Sequence, residues 1–271
     1  MALTPDRSGN RSPMPPITQY SKPADVSMAD EWFEIAVPDH FWMARRFEVL
    51  RALLADEPLE PLRIGEIGCG SGAVLRQFRD QLGADVDGFD LNLYALEHGH
   101  DSDGSLSLFC YDIHDRREEL HEAYDGLVLF DVIEHIKNDI AFLDSVRYHL
   151  RPGGFVAVNV PGSMKLFSAY DEVAGHVRRY EPETLTELAR KTGFTVEQWT
   201  WWGRPLRPIA RLRKRVVAKM PRDKVIERGF KPPGRLGNTL LRMLTRMERI
   251  PQQHGGCSLM AILRHDGGVT Q

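Results

Sequence analysis

The segment that most constrains how this chain can fold is Ile64-Gly65-Glu66-Ile67-Gly68-Cys69-Gly70-Ser71-Gly72. Glycines at alternate positions after an apolar run let the backbone turn sharply and let a ligand approach it without meeting a Cβ. Leu62 to Gly68 reads as a strand and Ala73 to Leu82 as a helix, so the turn joins the two and points helix N-terminal amides outward. The alternation continues downstream. Asp85 to Asp90, Leu106 to Tyr111, Gly126 to Val132, Phe155 to Val160 and Phe194 to Trp202 read as strands; Leu93 to His98, Asp139 to Leu150 and Pro182 to Thr192 read as helices. Strands separated by helices pair in parallel through right-handed crossovers, which predicts an α/β, doubly wound sheet covered on both faces. Cys257 to Leu263 supplies a last strand. Ahead of the sheet, Phe41, Trp42, Phe47, Leu50, Leu53 and Leu54 recur at helical spacing, with Asp39 placed to cap the helix. Residues 1–23, rich in Pro, Ser and charge, read as a flexible arm.

Composition narrows the function classes. With 42% apolar and 27% charged residues in 271, wholesale disorder is excluded. No stretch approaches the ~20 apolar residues of a membrane span, and the N-terminus lacks an apolar leader core, so a cytoplasmic protein is expected. Cys69, Cys110 and Cys257 form no CxxC pair, and His98-x-His100 has no evident third ligand, so neither a disulfide framework nor a metal is expected. The net charge of −3 hides a segregation. Residues 204–253 hold fifteen Lys or Arg against three acids, a local +12, which leaves −15 for the remainder.

The glycine-rich turn is a nucleotide-type cradle, although Gly68-x-Gly70-x-x-Ala73 also satisfies a dinucleotide fingerprint, and a tight turn without ligand is a third reading. Asp90, ending the second strand, can accept both hydroxyls of a ribose or cap the turn at Asn92. Asp112, after the third strand, can accept from an adenine amino group while Ile113 packs on the ring; a surface turn is the alternative.

Taken in order, Glu66-x-Gly68-x-Gly70-x-Gly72, Asp90, Asp112-Ile113, Asp131-Val132-Ile133-Glu134-His135 and Leu150-Arg151-Pro152-Gly153-Gly154 resemble the motif series of class I S-adenosylmethionine-dependent methyltransferases. The resemblance spans roughly residues 40–203 plus the last strand. It implies a Rossmann-like, seven-stranded sheet whose last strand is antiparallel, formed by 24–203 and 254–266, and S-adenosyl-L-methionine as cofactor. Glu66, Gly68, Cys69, Gly70 and Gly72 would surround its methionine portion, Asp90 and Leu91 its ribose, Asp112 and Ile113 its adenine, with Asp131 nearby. Arg46, or its neighbour Arg45, could pair with the cofactor carboxylate or lie on a solvated helix face.

Methyl transfer is an in-line displacement, so aligning nucleophile and methyl is the main task, worth ~7–11 kcal/mol. A base adds ~10²- to 10⁴-fold where the nucleophile must lose a proton. Two clusters fall on the carboxyl edge of the sheet. In the first, His135 can accept a proton or serve the cofactor side, and Asp131 can bond cofactor or substrate. The second is Tyr170-Asp171-Glu172-x-x-Gly175-His176-x-Arg178-Arg179-Tyr180, expected to form a lid. His176 is the first choice of general base, oriented by Tyr170 and Asp171; the alternative is that Asp171, Arg178 and Arg179 form salt bridges that hold the loop.

In the family, strand six hairpins into strand seven, whereas here residues 204–253 intervene and must emerge beside the substrate pocket. Leu206, Ile209, Leu212, Val216 and Met220, then Leu240, Met243, Leu244, Met247 and Ile250, fall at helical spacing among arginines. Basic amphipathic helices near Trp199, Trp201 and Trp202 read as an anionic membrane surface element, making the protein peripheral at the membrane, or as helices packed on the domain or on a second subunit in a homodimer. Nucleic acid is not expected, since no RNA or DNA motif accompanies the charge. The leading expectation is methyl transfer to O or N of a small-molecule or lipid-linked acceptor. A catalytically silent cofactor-binding partner and a nicotinamide-dependent oxidoreductase are the alternatives.

Overall fold

The structure is a computed structural model and describes residues 17–24, 40–56, 62–99, 106–221, 224–225 and 234–267. Among the described residues eight strands form one sheet: β1 (Thr18–Gln19), β2 (Arg63–Ile67), β3 (Asp85–Asp90), β4 (Ser107–Cys110), β5 (Tyr124–Phe130), β6 (Leu150–Pro161), β7 (Phe194–Trp202) and β8 (Ser258–His265). Their order is β1-β4-β3-β2-β5-β6-β8-β7, with β8 antiparallel to both neighbours and the other pairs parallel. The helices are α1 (Phe41–Leu53), α2 (Ala73–Leu82), α3 (Leu93–Gly99), α4 (Asp139–His149), α5 (Ala169–Val173), α6 (Pro182–Lys191), α7 (Arg207–Val217) and α8 (Gly234–Arg246).

The expected sheet is present with one strand more. Thr18–Gln19, assigned to the flexible arm, pairs in parallel with β4, because its backbone meets the open edge there; residues 1–16 lie outside the described residues. Asp39, the expected helix cap, also lies outside them. The cap is His40, whose Nδ1 accepts from Trp42 N at 3.3 Å.

Alternation along the central strands builds two cores. Val128 and Phe130 of β5 and Phe155 and Ala157 of β6 face Leu50, Leu75 and Phe78; Leu127, Leu129, Val156 and Val158 face Leu143, Leu150 and Leu185. Both faces of the sheet are therefore covered, and ligand access is confined to the strand ends. The strand order reverses between β2 and β5, and in open α/β sheets ligands settle in the crevice at the carboxyl ends beside such a reversal.

Candidate functional site

A cavity of about 1000 Å³ opens at those carboxyl ends. This is the top of the ~300–1,000 Å³ range of ligand sites, so it has room for two molecules. Its floor is the glycine-rich turn. Gly68, Gly70 and Gly72 all have positive φ, +74°, +52° and +73°. At Gly68 a Cβ would also lie 2.7 Å from Val132 Cγ2, so both conformation and space require glycine. Gly68 N and Cys69 N donate to Phe89 O, and Gly70 N donates to Asp90 Oδ2 at 2.8 Å, which ties the turn to β3. Gly72 does not border the cavity; it shapes the start of α2, packed under Leu106.

Two buried ionisable groups, an acid and a base, flank this floor. Glu66, next to last in β2, is buried at 3% exposure; burial pushes its carboxyl up to about 8, and Oε2 has no hydrogen-bond partner among the described residues. Arg46 projects from α1 with its guanidinium 4.7 Å above the Phe130 ring, donates to Asp131 Oδ2 at 2.6 Å, and keeps a buried Nε without acceptor among the described residues. Arg45 turns the other way, to Glu48 and Glu248, so the structure chooses Arg46 of the two. Asp131 adopts φ +58°, uncommon outside glycine and more tolerated by Asp, at the tip of β5. Asn159 Nδ2 donates to Asp131 Oδ1 at 2.8 Å, and Trp202 Nε1 donates to Asn159 Oδ1 at 2.8 Å. A hydrogen-bonded line from Trp202 through Asn159 and Asp131 to Arg46 thus links β7, β6, β5 and α1 beside the cavity.

At the far end Asp90, Leu91, Asp112 and Ile113 line the cavity. Burial raises the Asp90 carboxyl, against hydrogen bonds from Asn92 N and Gly70 N. Asp112 accepts from His114 N, and its own N donates to Ser21 Oγ at 2.8 Å. The edge segment around β1 thereby braces this end.

The opposite wall carries the titratable groups. Val177 N donates to Glu134 O at 2.8 Å, which seats the loop after β6 on the turn after β5 and sets the His135 and His176 rings 4.7 Å apart, edge to face. His176 borders the cavity, and its Nδ1 lies 3.0 Å from Asp171 Oδ1. Asp171 itself is fully buried behind it and also accepts from Arg179 Nε at 2.8 Å. Burial would raise this carboxyl, but bonds from His176 and Arg179 outweigh it and hold the group well below the usual carboxylate range. An ionised Asp171 only accepts, so His176 Nδ1 is the donor and Nε2 is left for other partners. Nε2 lies 4.0 Å from Glu134 Oε1, a carboxyl that burial and Asp131 push well up. His135 is held down at about 4 by burial and by His176, so it stays neutral. Tyr170 also lines the cavity, but it reaches His176 only ring to ring at 6.5 Å, and burial lifts its hydroxyl to about 12. The salt bridges read as an alternative also form: Arg179 to Asp171, and Arg178 to Asp139.

No metal was expected, yet Glu134, His135 and His176 each offer a donor atom, all within 4.8 Å of one another. Two of them are adjacent, but the third arrives from a loop some forty residues on, so only the fold shows the cluster. Sequence reasoning also missed Asn159. Its signal was a lone amide in the apolar run Phe155 to Val160, where a buried polar group needs partners. The expected surface role is overturned for Trp201 and Trp202, while Trp199 is half-buried. Trp201 and Trp202 are 5% and 0% exposed, because β7 faces them into the two cores.

A family model described as a methyltransferase domain matches residues 40–198. The chain belongs to the class I S-adenosylmethionine-dependent methyltransferases. The chain is 31% identical over 146 residues to a ubiquinone biosynthesis O-methyltransferase of Nitrobacter winogradskyi, covering 49% of this chain and 55% of that one. The chain thus spans little more than half the length of that relative. It is 27% identical over 177 residues to the same-named protein of Roseobacter denitrificans, covering 56% and 71%. Among solved structures it is similar in fold to the methyltransferase in complex with the Haloferax volcanii Trm112 activator, with TM-score 0.60, 16% identity, and coverage of 89% and 99%. The Burkholderia thailandensis 1,6-didemethyltoxoflavin-N1-methyltransferase, solved with S-adenosylhomocysteine, gives 0.52, 16%, 87% and 81%.

The residues fit the cofactor of the family. The unpartnered Glu66 Oε2 and Arg46 Nε, both buried at the cavity, suit the ammonium and carboxylate of its methionine portion. Each Asp90 oxygen already accepts one backbone N–H and retains capacity for a ribose hydroxyl.

Proposed function

We propose that this methyltransferase methylates a hydroxyl oxygen of an apolar, lipid-linked small molecule of the quinone-precursor kind. When bound, S-adenosylmethionine supplies a methyl group on a positively charged sulfur. The chain supplies the rest. Arg46, Glu66, Asp90 and the glycine turn would hold the cofactor, with Leu91, Asp112 and Ile113 at its adenine end. The observation that carries the proposal is His176 on the cavity wall, its Nδ1 held by buried Asp171, in a cavity also lined by Leu206, Ile209, Leu212 and Val216. A hydroxyl nucleophile must lose a proton, and an imidazole oriented by a carboxylate accepts one at Nε2. His135 and Tyr170 are the weaker bases of the group, the one kept neutral by burial and the other kept protonated. The apolar wall selects an acceptor with a hydrocarbon portion, in keeping with relatives named for ubiquinone biosynthesis.

The test offers the protein a prenylated catechol, a polar catechol and a primary amine, each with S-adenosylmethionine, and identifies products by mass spectrometry. O-methylation favouring the prenylated catechol is expected. An N-methylated product, or preference for the polar catechol, refutes the proposal. Cofactor binding without turnover of any acceptor would instead assign a silent binding partner.

A further inference from the structure

Seven large apolar side chains stand exposed on or beside two helices. On α7 they are Ile209, Leu212 and Val216, 45–61% exposed; on α8 and the turn after it, Leu236, Leu240, Met243 and Met247, 64–88% exposed. Spacings of three and four residues put each set on one helix face. Each helix is fixed from elsewhere. α7 rests on α5 and the Met164–Leu166 turn, and α8 rests on α1, where Asn238 Oδ1 accepts from Phe41 N at 2.8 Å. The exposed faces are therefore not the ones that attach the helices to the body. Neither helix contains an acidic residue, whereas α7 has five Lys or Arg and α8 has three. Arg211 and Arg215 on α7 and Arg235 on α8 are exposed.

We propose that α7 and α8 form a docking surface for an anionic lipid bilayer, on which the acceptor cavity opens. Apolar side chains on one face, basic groups beside them and no acid are the composition that a charged headgroup layer over hydrocarbon attracts. The position of the cavity favours a bilayer over a protein partner. Ile209, Leu212 and Val216 both line the cavity and reach the surface, so a folded partner seated there would close the mouth, whereas a bilayer would deliver an apolar acceptor to it. That last link rests on the lipid-linked acceptor proposed above; the surface itself does not. Trp201 and Trp202 take no part, being buried, and contact is made by aliphatic and Met side chains.

The test is flotation of the full chain with phosphatidylcholine vesicles, with and without phosphatidylglycerol. Binding to the anionic vesicles alone, weakening as salt is raised, is expected. Arg211→Glu with Arg215→Glu should weaken it by roughly 30-fold or more. Leu240→Ser with Met243→Ser should weaken it by at least roughly tenfold. Both variants should keep the thermal stabilisation given by S-adenosylhomocysteine, which reports an intact fold. Failure of the cofactor-binding protein to float with anionic vesicles overturns the proposal, as does flotation that neither variant reduces. A dimer in solution that the Leu240/Met243 variant dissociates, without vesicle binding, assigns the face to a second copy instead. No acceptor enters the assay, so failed methylation of the prenylated catechol by a protein that floats would count against the acceptor alone.

Discussion

Asp171→Asn separates the positioning role of this carboxylate from cofactor binding. Asp171 accepts four hydrogen bonds: from Ser168 N at 2.8 Å and Ser168 Oγ at 3.0 Å on one oxygen, and from His176 Nδ1 at 3.0 Å and Arg179 Nε at 2.8 Å on the other. An amide has one accepting oxygen, so its NH₂ must face either the Ser168 donors or the His176 and Arg179 donors. In either orientation Arg179, 9% exposed, loses its countercharge. Breaking a buried pair on one side costs about 3–5 kcal/mol. At roughly 2–4 °C per kcal/mol for a protein of this size, calorimetry should show Tm falling on the order of 10 °C. Freed from its anchor, His176 should lose the tautomer that leaves Nε2 as acceptor, and kcat should fall by about 10²-fold or more. None of the four contacts touches Arg46, Glu66 or Asp90, so S-adenosylhomocysteine affinity by titration calorimetry should stay close to wild type. The pH dependence has a definite sign. Because the folded carboxyl is depressed, its stabilisation is complete above the ordinary carboxylate range and is lost as pH falls through the folded value. The variant should therefore lose less stability in acid than the wild type. A folded Asp171→Asn protein with unchanged kcat, or one whose kcat falls only in step with cofactor affinity, would refute the positioning role.

Saturating S-adenosylhomocysteine should raise Tm, at 100-fold its Kd adding about 2.7 kcal/mol, while NAD should leave it unchanged; a shift with NAD alone would restore the oxidoreductase reading. Gly68→Ala places a Cβ 2.7 Å from Val132 Cγ2 at φ +74°, and its left-handed backbone alone costs about 1–2 kcal/mol, so cofactor affinity should drop at least about tenfold; calorimetry showing wild-type affinity would count against the cradle. Glu66, raised to about 8 by burial, stabilises the fold fully below its ordinary value of 4.5 and ceases to do so as pH rises through about 8. Wild-type stability should decline over that window and Glu66→Gln should remove the slope. Cofactor binding at pH 7 should release up to about one proton from Glu66, seen as buffer-dependent binding enthalpy, and an equal dependence in Glu66→Gln would assign the proton elsewhere.

Much of the site was legible because it is written in local backbone chemistry. Glycine is the residue that most readily adopts the φ of residues 68 and 70, and the acids Asp90 and Asp112 announce themselves by standing at strand ends. What escaped depended on packing across distance. Trp201 and Trp202 have the composition of an interfacial anchor, yet pairing with β8 sends both inward. Thr18–Gln19 has no strand pattern of its own and becomes a strand only because β4 leaves an edge to pair with.

The sequence by itself determined the alternation of strand and helix, hence a sheet covered on both faces, and the glycine-rich turn at its carboxyl edge. Periodicity and glycine conformational freedom act within a few residues, so they can be read without knowing the fold. Only the tertiary structure decided that Arg46 rather than Arg45 enters the cavity, that Asn159 carries Asp131, and that His176 meets Asp171 on one side and Glu134 on the other. These are contacts between strand ends and loops made neighbours by the order β2-β5-β6-β8-β7, and that order follows from burying both faces of the whole sheet at once.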